Sequence, residues 1–282
     1  MSIDKSFLSR AAFLVWVICA AQTAFVLSDL WPYSKASRLY QHALETLTTF
    51  AIVAIAAATW RSLLTHCENR ETITCAKLVA LGVLFCAFGD LVNFNLFQHG
   101  YRYDPLIKHD YLIDSIYVFS IGYGLILLSS YSFLKRLAIT HRQIFAVVLM
   151  VSSVTLLSYA QMRLPDTGPY VSTLAGFYAL LVAQCASVAV LLLLKAAKSG
   201  APKRYYLLVI GLLLATLADA LIGQFWLFGN QGQGYFPLIR TVNWFIYISS
   251  SLLIIQLPWV FQWLIISERQ AVNAQIETLT NG

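Results

Sequence analysis

Residues 82–91 read GVLFCAFGDL and residues 211–220 read GLLLATLADA, so one pattern of small residues with a single acid occurs twice in the chain. An offset of 129 residues aligns the pairs Gly82 and Gly211, Asp90 and Asp219, Gly100 and Gly229, Asp114 and Asn243, and Ser120 and Ser249. An ionised aspartate in hydrocarbon is costly, so it persists where it faces protein or water. The repeated acid therefore indicates either a polar cavity or a pair of interhelical hydrogen bonds that only lock the packing.

The composition around these stretches is that of a membrane protein. Hydrophobic residues make up 59% of the chain and charged residues 11%, whereas a soluble domain carries about 25% charged residues. Apolar runs of about 20 residues suffice to span a bilayer. Eight such runs occur, at 11–30, 43–64, 76–97, 112–134, 143–161, 172–194, 205–228 and 242–266. The sequence predicts an all-α polytopic protein whose first run, without a clear cleavage site, is a retained helix.

The repeat divides the eight predicted helices into two halves, at about 11–134 and 143–266. Because each half holds an even number of helices, both halves run the same way through the bilayer as parallel repeats. Most of the 19 Lys and Arg residues fall on the side of the N-terminus. This bias predicts cytoplasmic termini, here in a bacterial inner membrane. We call the opposite side of the bundle its outer end.

Small residues recur every four positions in both stretches, and residues four apart share one helical face. Each acid therefore lies on a stripe that allows close helix packing, about two thirds of the way toward the outer end. Other polar residues are predicted at the same level. The candidate ligand-binding residues are Glu45, Asp90, Asn93, Asp114, Asp219 and Asn243.

Two further sets of residues near the outer end are predicted to have no role in binding a ligand. Solvated loop positions are predicted for His42, His99, Asp104, His109, Asp110 and Arg240. An interfacial aromatic belt is predicted for Trp31, Tyr33, Tyr101, Tyr103, Tyr111 and Trp244.

The end of the chain has features of signal transmission. Pro258 lies inside the last apolar run, where a proline removes a backbone hydrogen bond and tends to kink the helix. A heptad pattern of apolar residues begins at Ile265 in the last apolar run and continues into the polar tail 267–282 at Val272, Ile276 and Leu279. This pattern fits a short coiled coil, and the alternative is a solvated helical tail. The predicted transmission residues are Pro258, Val272, Ile276 and Leu279.

No soluble catalytic signature is present in the sequence. It contains no phosphate loop, nucleophile elbow or zinc-protease motif, and His66, Cys67 and Cys75 match no standard metal spacing. We therefore predict no cofactor and no metal. The two acids could act as an acid/base pair on water, carry protons in transport, or bind a ligand. No basic run is long enough for nucleic acid.

The chain resembles the multi-helix membrane sensor regions that precede diguanylate cyclase (GGDEF), EAL or histidine kinase domains in bacteria. The resemblance lies in FGDLVNF, with Gly89 and Asp90, and in the next helix, with Asp114, Tyr117 and Tyr123. A degenerate second copy is similar to LADALIGQFWLF and VNWFIYISSSLLI, where Asn243 replaces the acid. The resemblance implies ligand sensing passed to a cytoplasmic output domain that follows this chain or to a separate partner protein.

A weaker resemblance is to the YhhN-like lysoplasmalogenases, which are also eight-helix membrane proteins. It rests on the Gly-Asp helix, on His109-Asp110-Tyr111 and on Ala218-Asp219, and it implies hydrolysis of a vinyl-ether lysolipid by buried acids. We therefore expect a membrane-embedded sensing module that binds a small or amphipathic ligand from the outer side. Its other expected partners are membrane lipid and a second copy of the chain in a homodimer. The alternatives are an intramembrane lysolipid hydrolase and a proton-coupled transporter.

Overall fold

The computed structural model describes residues 5–31, 37–94, 110–164, 167–199, 203–227 and 237–280. Within these ranges the regular structure is helical, with no strand. The helices are α1 Lys5–Leu27, α2 Arg38–His66, α3 Arg70–Phe94, α4 Asp110–Arg136, α5 His141–Met162, α6 Pro169–Ser199, α7 Lys203–Ile222, α8 Pro237–Ile254 and α9 Leu257–Thr280. A single π-helical turn, Gly223–Leu227, extends α7. In the described part of the chain, eight helices are long and apolar enough to cross a membrane, as predicted and as fits a multi-pass membrane protein.

Sequential helices pack in the same order in both halves of the chain. In the first half α1 packs on α2, α2 on α3 and α3 on α4, and in the second half α5 packs on α6, α6 on α7 and α7 on α8. The halves meet where α4 contacts α6, α1 contacts α8 and α3 contacts α9. Packing of each helix on the next is common to helix bundles, so the duplication and the symmetry that would relate the halves stay predictions.

Glycines of the repeated stretches hold the closest helix pairs together. A Cβ atom at Gly82 would lie 2.8 Å from Ile126 Cγ1 and 2.9 Å from the Gly122 carbonyl oxygen. A Cβ atom at Gly211 would lie 2.7 Å from Leu253 Cβ. The missing side chains thus let α3 approach α4, and α7 approach α8, more closely than any other residue would allow.

The last predicted membrane helix is two helices in the structure. Helix α8 ends at Ile254, a turn follows at Ile255 and Gln256, and α9 begins directly before Pro258. Proline has no backbone N–H and cannot continue the hydrogen-bond ladder, so the interruption lies where the sequence predicts a kink. Helix α9 runs on to Thr280, past the last membrane-span residue, Ser267.

The tail beyond the span is helical, as both readings of the heptad pattern require. The side chains of Val272, Ile276 and Leu279 lie outside the described part of the structure, so a coiled coil stays a prediction.

Helix α5 lies at the edge of the bundle. It begins with a capping box in which the Thr140 hydroxyl accepts a hydrogen bond from the Gln143 backbone N–H. It has no buried residue, and large apolar side chains such as Phe145 and Leu157 are exposed along it. Such a surface suits lipid tails rather than water.

Candidate functional site

The carboxyl group of Asp219 on α7 is held by two tyrosines from other helices. Tyr123 on α4 donates a hydrogen bond to Asp219 Oδ2 at 2.7 Å, and Tyr178 on α6 donates one to Oδ1 at 2.7 Å. The two rings pack edge to face, with centroids 6.2 Å apart. Both carboxyl oxygens therefore have a donor, and the three side chains join α4, α6 and α7.

Asp90 on α3 accepts fewer hydrogen bonds from the described part of the chain than Asp219. Its side chain is 4% exposed, and Tyr247 on α8 donates a hydrogen bond to Oδ2 at 3.0 Å. Among the residues that the structure describes, Tyr247 is its one hydrogen-bond donor. Asp90 is thus a deeply buried acid with only part of its accepting capacity in use.

The two acids are bound across the halves in a reciprocal way. Asp90, in the first half, is bound by the last membrane helix of the second half, and Asp219, in the second half, is bound by α4, the last helix of the first. Phe119 lies between the two groups, with its ring centroid 6.5 Å from that of Tyr178 and 6.4 Å from that of Tyr247. The two Asp–Tyr groups therefore form one cluster inside the bundle, in which Tyr178, Asp219 and Tyr247 are partly buried and the other members are buried. We call it the Asp–Tyr cluster: Asp90, Phe119, Tyr123, Tyr178, Asp219 and Tyr247.

A second buried polar group lies nearer the outer end, around Glu45 of α2. Arg240 of α8 donates to both carboxylate oxygens of Glu45, at 2.9 Å to Oε1. His42 Nδ1 lies 3.0 Å from Oε2, and Gln22 of α1 donates to Oε1 at 3.4 Å. Glu45 was predicted to bind ligand, but its oxygens are already occupied by these three partners, which tie α1, α2 and α8 together.

Two interpretations of outer residues as solvated loop positions were wrong. His42 lies inside α2 and Arg240 inside α8, and both are drawn into the bundle by Glu45. An isolated charge near the end of an apolar run looks like a loop residue, and its burial depends on an opposite charge that comes from another helix. The side chains of His99, Asp104, His109 and Asp110 lie outside the described residues.

Trp244 was also misplaced by the sequence, which predicted it in the interfacial belt. Its side chain is buried, and its ring centroid lies 5.6 Å from that of Phe94 and 5.7 Å from that of Tyr247. Phe94 in turn stacks on His42 at 4.9 Å. Trp244 therefore connects the Glu45 group to the Asp–Tyr cluster. Of the other predicted belt residues, Tyr33, Tyr101, Tyr103 and the side chain of Tyr111 lie outside the described residues.

The remaining predicted ligand-binding residues take different positions. Asn243 is 7% exposed on α8, and its Oδ1 has no hydrogen-bond partner in the part of the chain that the structure describes. Asn93 and Asp114 are half-buried at the ends of α3 and α4. The structure therefore brings Asp90 and Asp219 into one cluster, leaves Asn243 one turn from Tyr247, and pairs Glu45 elsewhere.

Tyr178 and Tyr247 were not predicted as site residues. A signal for Tyr247 exists, because positions 240, 244 and 247 share one face of α8 and carry Arg, Trp and Tyr. Tyr178 gives no comparable signal, since it lies alone among apolar residues of α6.

The cysteines form no metal site in the described ranges, where no group of three His, Cys, Asp or Glu residues could hold a metal ion. Cys75 accepts a hydrogen bond from Ser129 Oγ at 3.0 Å inside the bundle, away from Cys67 in the α2–α3 loop. All five cysteines are free thiols.

No protein-family model, curated protein or solved structure matches this chain.

The hydrogen bonds to Asp219 have a testable energetic signature. We expect Tyr123→Phe and Tyr178→Phe each to lower the free energy of unfolding by about 0.6–1.7 kcal/mol, the range for interhelical hydrogen bonds in membranes. Titration with dodecyl sulfate in mixed micelles measures this free energy of unfolding. The matched control is Tyr117→Phe on the same helix as Tyr123, because Tyr117 is exposed and its hydroxyl bonds, within the described ranges, the Tyr170 hydroxyl at the surface of the bundle. Equal effects at Tyr117 and Tyr123 would contradict a special role for the buried bonds.

Proposed function

We propose that the protein is a membrane-embedded ligand-responsive module, in which a ligand entering from the outer end changes the Asp–Tyr cluster and moves α8 and α9. One observation carries the proposal: α8 provides Tyr247 to Asp90 and Arg240 to Glu45, and its continuation α9 runs beyond the span to Thr280. A change at the cluster therefore acts on α8, and through the turn at Ile255 and Gln256 on α9, which in this proposal leads to a cytoplasmic output domain or partner.

The interruption at Ile255 and Gln256 supports this reading. Helix ends that absorb backbone rotation are the usual hinges of conformational changes, and this one lies between the cluster and the tail. Helix α9 also borders the α2–α3 loop, with which it lines a cavity of about 210 Å³ that includes Cys67, Glu68 and Gln262. A movement of α9 would therefore change its distance from this loop.

Distance measurements between spin labels test the proposal without knowledge of the ligand. Labels go on Glu68→Cys in the loop and Gln270→Cys on α9, both exposed, in a Cys67→Ser background, since the other four cysteines are buried. We expect Asp90→Asn and Tyr247→Phe to shift the mean distance by about 1–2 Å, as helices shift at switching interfaces. Tyr117→Phe serves as the control. Unchanged distances in both cluster variants would overturn the proposal.

The two alternatives are tested on the same purified protein. Release of aldehyde from a vinyl-ether lysolipid, abolished by Asp90→Asn or Asp219→Asn, would make the protein a membrane hydrolase. Proton-dependent solute uptake into liposomes, lost in the same variants, would make it a transporter. Neither activity is expected of a module that only reports binding.

A further inference from the structure

The two acids of the Asp–Tyr cluster have no cationic partner among the described residues. The described residues pair Arg240 with Glu45, but they provide no Lys, Arg or His as an ion-pair partner of Asp90 or Asp219. A buried carboxylate without a cation is unfavourable. It is neutralised either by a proton or by a cation that comes from outside the protein.

The surroundings of Asp90 are those that attract an organic cation. The rings of Phe119, Tyr247 and Trp244 form a continuous series of aromatic contacts, with centroid distances of 6.4 and 5.7 Å. The faces of aromatic rings attract ammonium groups, and binding strengthens where water is excluded. A divalent inorganic cation is a poor fit, because such ions need several oxygen ligands and Glu45, the described acid that the aromatic contacts link to Asp90, is already paired with Arg240.

An independent observation points to a ligand at the same place. The Trp244 side chain is 7% exposed, and its Nε1–H has no acceptor in the part of the chain that the structure describes. Its ring packs on the ring of Tyr247, whose hydroxyl donates the hydrogen bond to Asp90. Buried indole N–H groups normally find a partner. Within the described ranges the Trp244 Nε1–H lacks an acceptor, and the Asp90 carboxylate lacks a cation. A ligand that carries both a positive charge and an oxygen would satisfy both groups.

We propose that the Asp90 site binds an amphiphile whose headgroup carries an ammonium group and an uncharged oxygen, with Asp90 as counter-ion and Trp244 as donor to the oxygen. This inference rests on the proposed function, whose ligand it names by class. Zwitterionic phospholipids are not the preferred ligands, because Arg240 and His42, the described basic side chains that the aromatic contacts link to this site, are already paired with Glu45. The apolar part of the amphiphile would lie toward lipid.

Four probes with the same dodecyl chain separate the requirements. Dodecyl(2-hydroxyethyl)dimethylammonium has charge and oxygen, dodecyltrimethylammonium has charge only, dodecanol has oxygen only, and dodecylphosphocholine is zwitterionic. Each is titrated below its micelle concentration by calorimetry into nanodiscs with the protein, and empty nanodiscs correct for partition into lipid. We expect the hydroxyethylammonium probe to bind at least about tenfold more tightly than dodecanol or dodecylphosphocholine.

Two conservative variants assign the two contacts. Asp90→Asn keeps the size of the side chain and should remove the preference for charge. Trp244→Phe keeps an aromatic ring and should remove only the preference of the hydroxyethyl over the trimethyl probe. Far-ultraviolet circular dichroism and gel filtration check that both variants are folded. Equal binding of dodecanol and the cationic probes, or undiminished charge preference in Asp90→Asn, would overturn the inference.

The outcomes also separate this inference from the proposed function. A cationic probe that binds through Asp90 without moving the labels on Glu68→Cys and Gln270→Cys leaves the ligand class standing and rejects signalling through α9. Labels that move in Tyr247→Phe, with no probe bound at Asp90, leave signalling standing and reject the ligand class.

Discussion

Arg240→Met is expected to lower the free energy of unfolding by about 3–5 kcal/mol, the usual effect of removing one partner from a buried ion pair. The loss arises from the charge that remains: Glu45 is 1% exposed, and without the guanidinium it keeps, among the described residues, only His42 and Gln22 as partners. Dodecyl sulfate titration in mixed micelles measures the change. Arg163→Met is the control, because Arg163 is an exposed residue directly after α5 and its loss should be nearly neutral.

A double variant isolates the pair from the rest of the fold. In Glu45→Gln/Arg240→Met no buried charge is left without its partner, so most of the lost stability should return. If the double variant is as unstable as Arg240→Met alone, the two side chains do not act as a pair. Since the pair joins α2 to α8, the single variant should also alter the position of α9.

The architecture was largely accessible from the sequence because hydrocarbon imposes simple rules. A helix satisfies its own backbone hydrogen bonds and can therefore span a bilayer, so eight apolar runs predict eight spans. The described part of the chain has eight helical spans of the required length and composition, the last formed by α8 and the first part of α9. The repeated acids were also predicted to lie on closely packed faces. Gly82 and Gly89 of the first stretch do lie against Gly122 and Phe119 of α4.

The partners of the acids were beyond the sequence because they depend on which helices become neighbours. Tyr247 is 157 residues from Asp90, and Arg240 is 195 residues from Glu45. An offset between two stretches shows that each half has an acid, but not that the acid is bound by a helix of the other half. For the same reason, the position of Trp244 near the end of an apolar run predicts a belt residue, whereas its contacts with Phe94 and Tyr247 depend on the packing of the helices.

The crossed hydrogen bonds have a consequence for coupling. Because each acid accepts a hydrogen bond from the other half, we expect a separation of the halves to stretch both Asp90–Tyr247 and Asp219–Tyr123. Phe119 contacts both tyrosine groups, so a change at one acid is passed to the other through packed rings. Such an arrangement favours two discrete states over gradual deformation.

Gly122→Ala is expected to destabilise the protein by about 1–3 kcal/mol, the usual range for overpacking. The added Cβ atom would lie 2.6 Å from Cys86 Sγ, 2.8 Å from the Gly82 carbonyl oxygen and 3.1 Å from the Cys86 backbone nitrogen. Two of these three atoms are backbone, so the clash is relieved only if α3 and α4 separate. Unfolding with dodecyl sulfate measures the loss of stability. Helix propensity acts in the opposite direction, since it favours alanine over glycine by about 1 kcal/mol.

The chain contains a matched control for this substitution two residues away. A Cβ atom at Gly124 would meet no other atom within 4 Å, so Gly124→Ala should leave stability unchanged or raise it slightly. Equal losses at both positions would show that the helix tolerates no alanine there for reasons unrelated to packing. Gly122 also precedes Tyr123, the donor to Asp219. If separation of α3 and α4 displaces that tyrosine, the effects of Gly122→Ala and Tyr123→Phe will be less than additive, because the first change already removes the hydrogen bond that the second deletes.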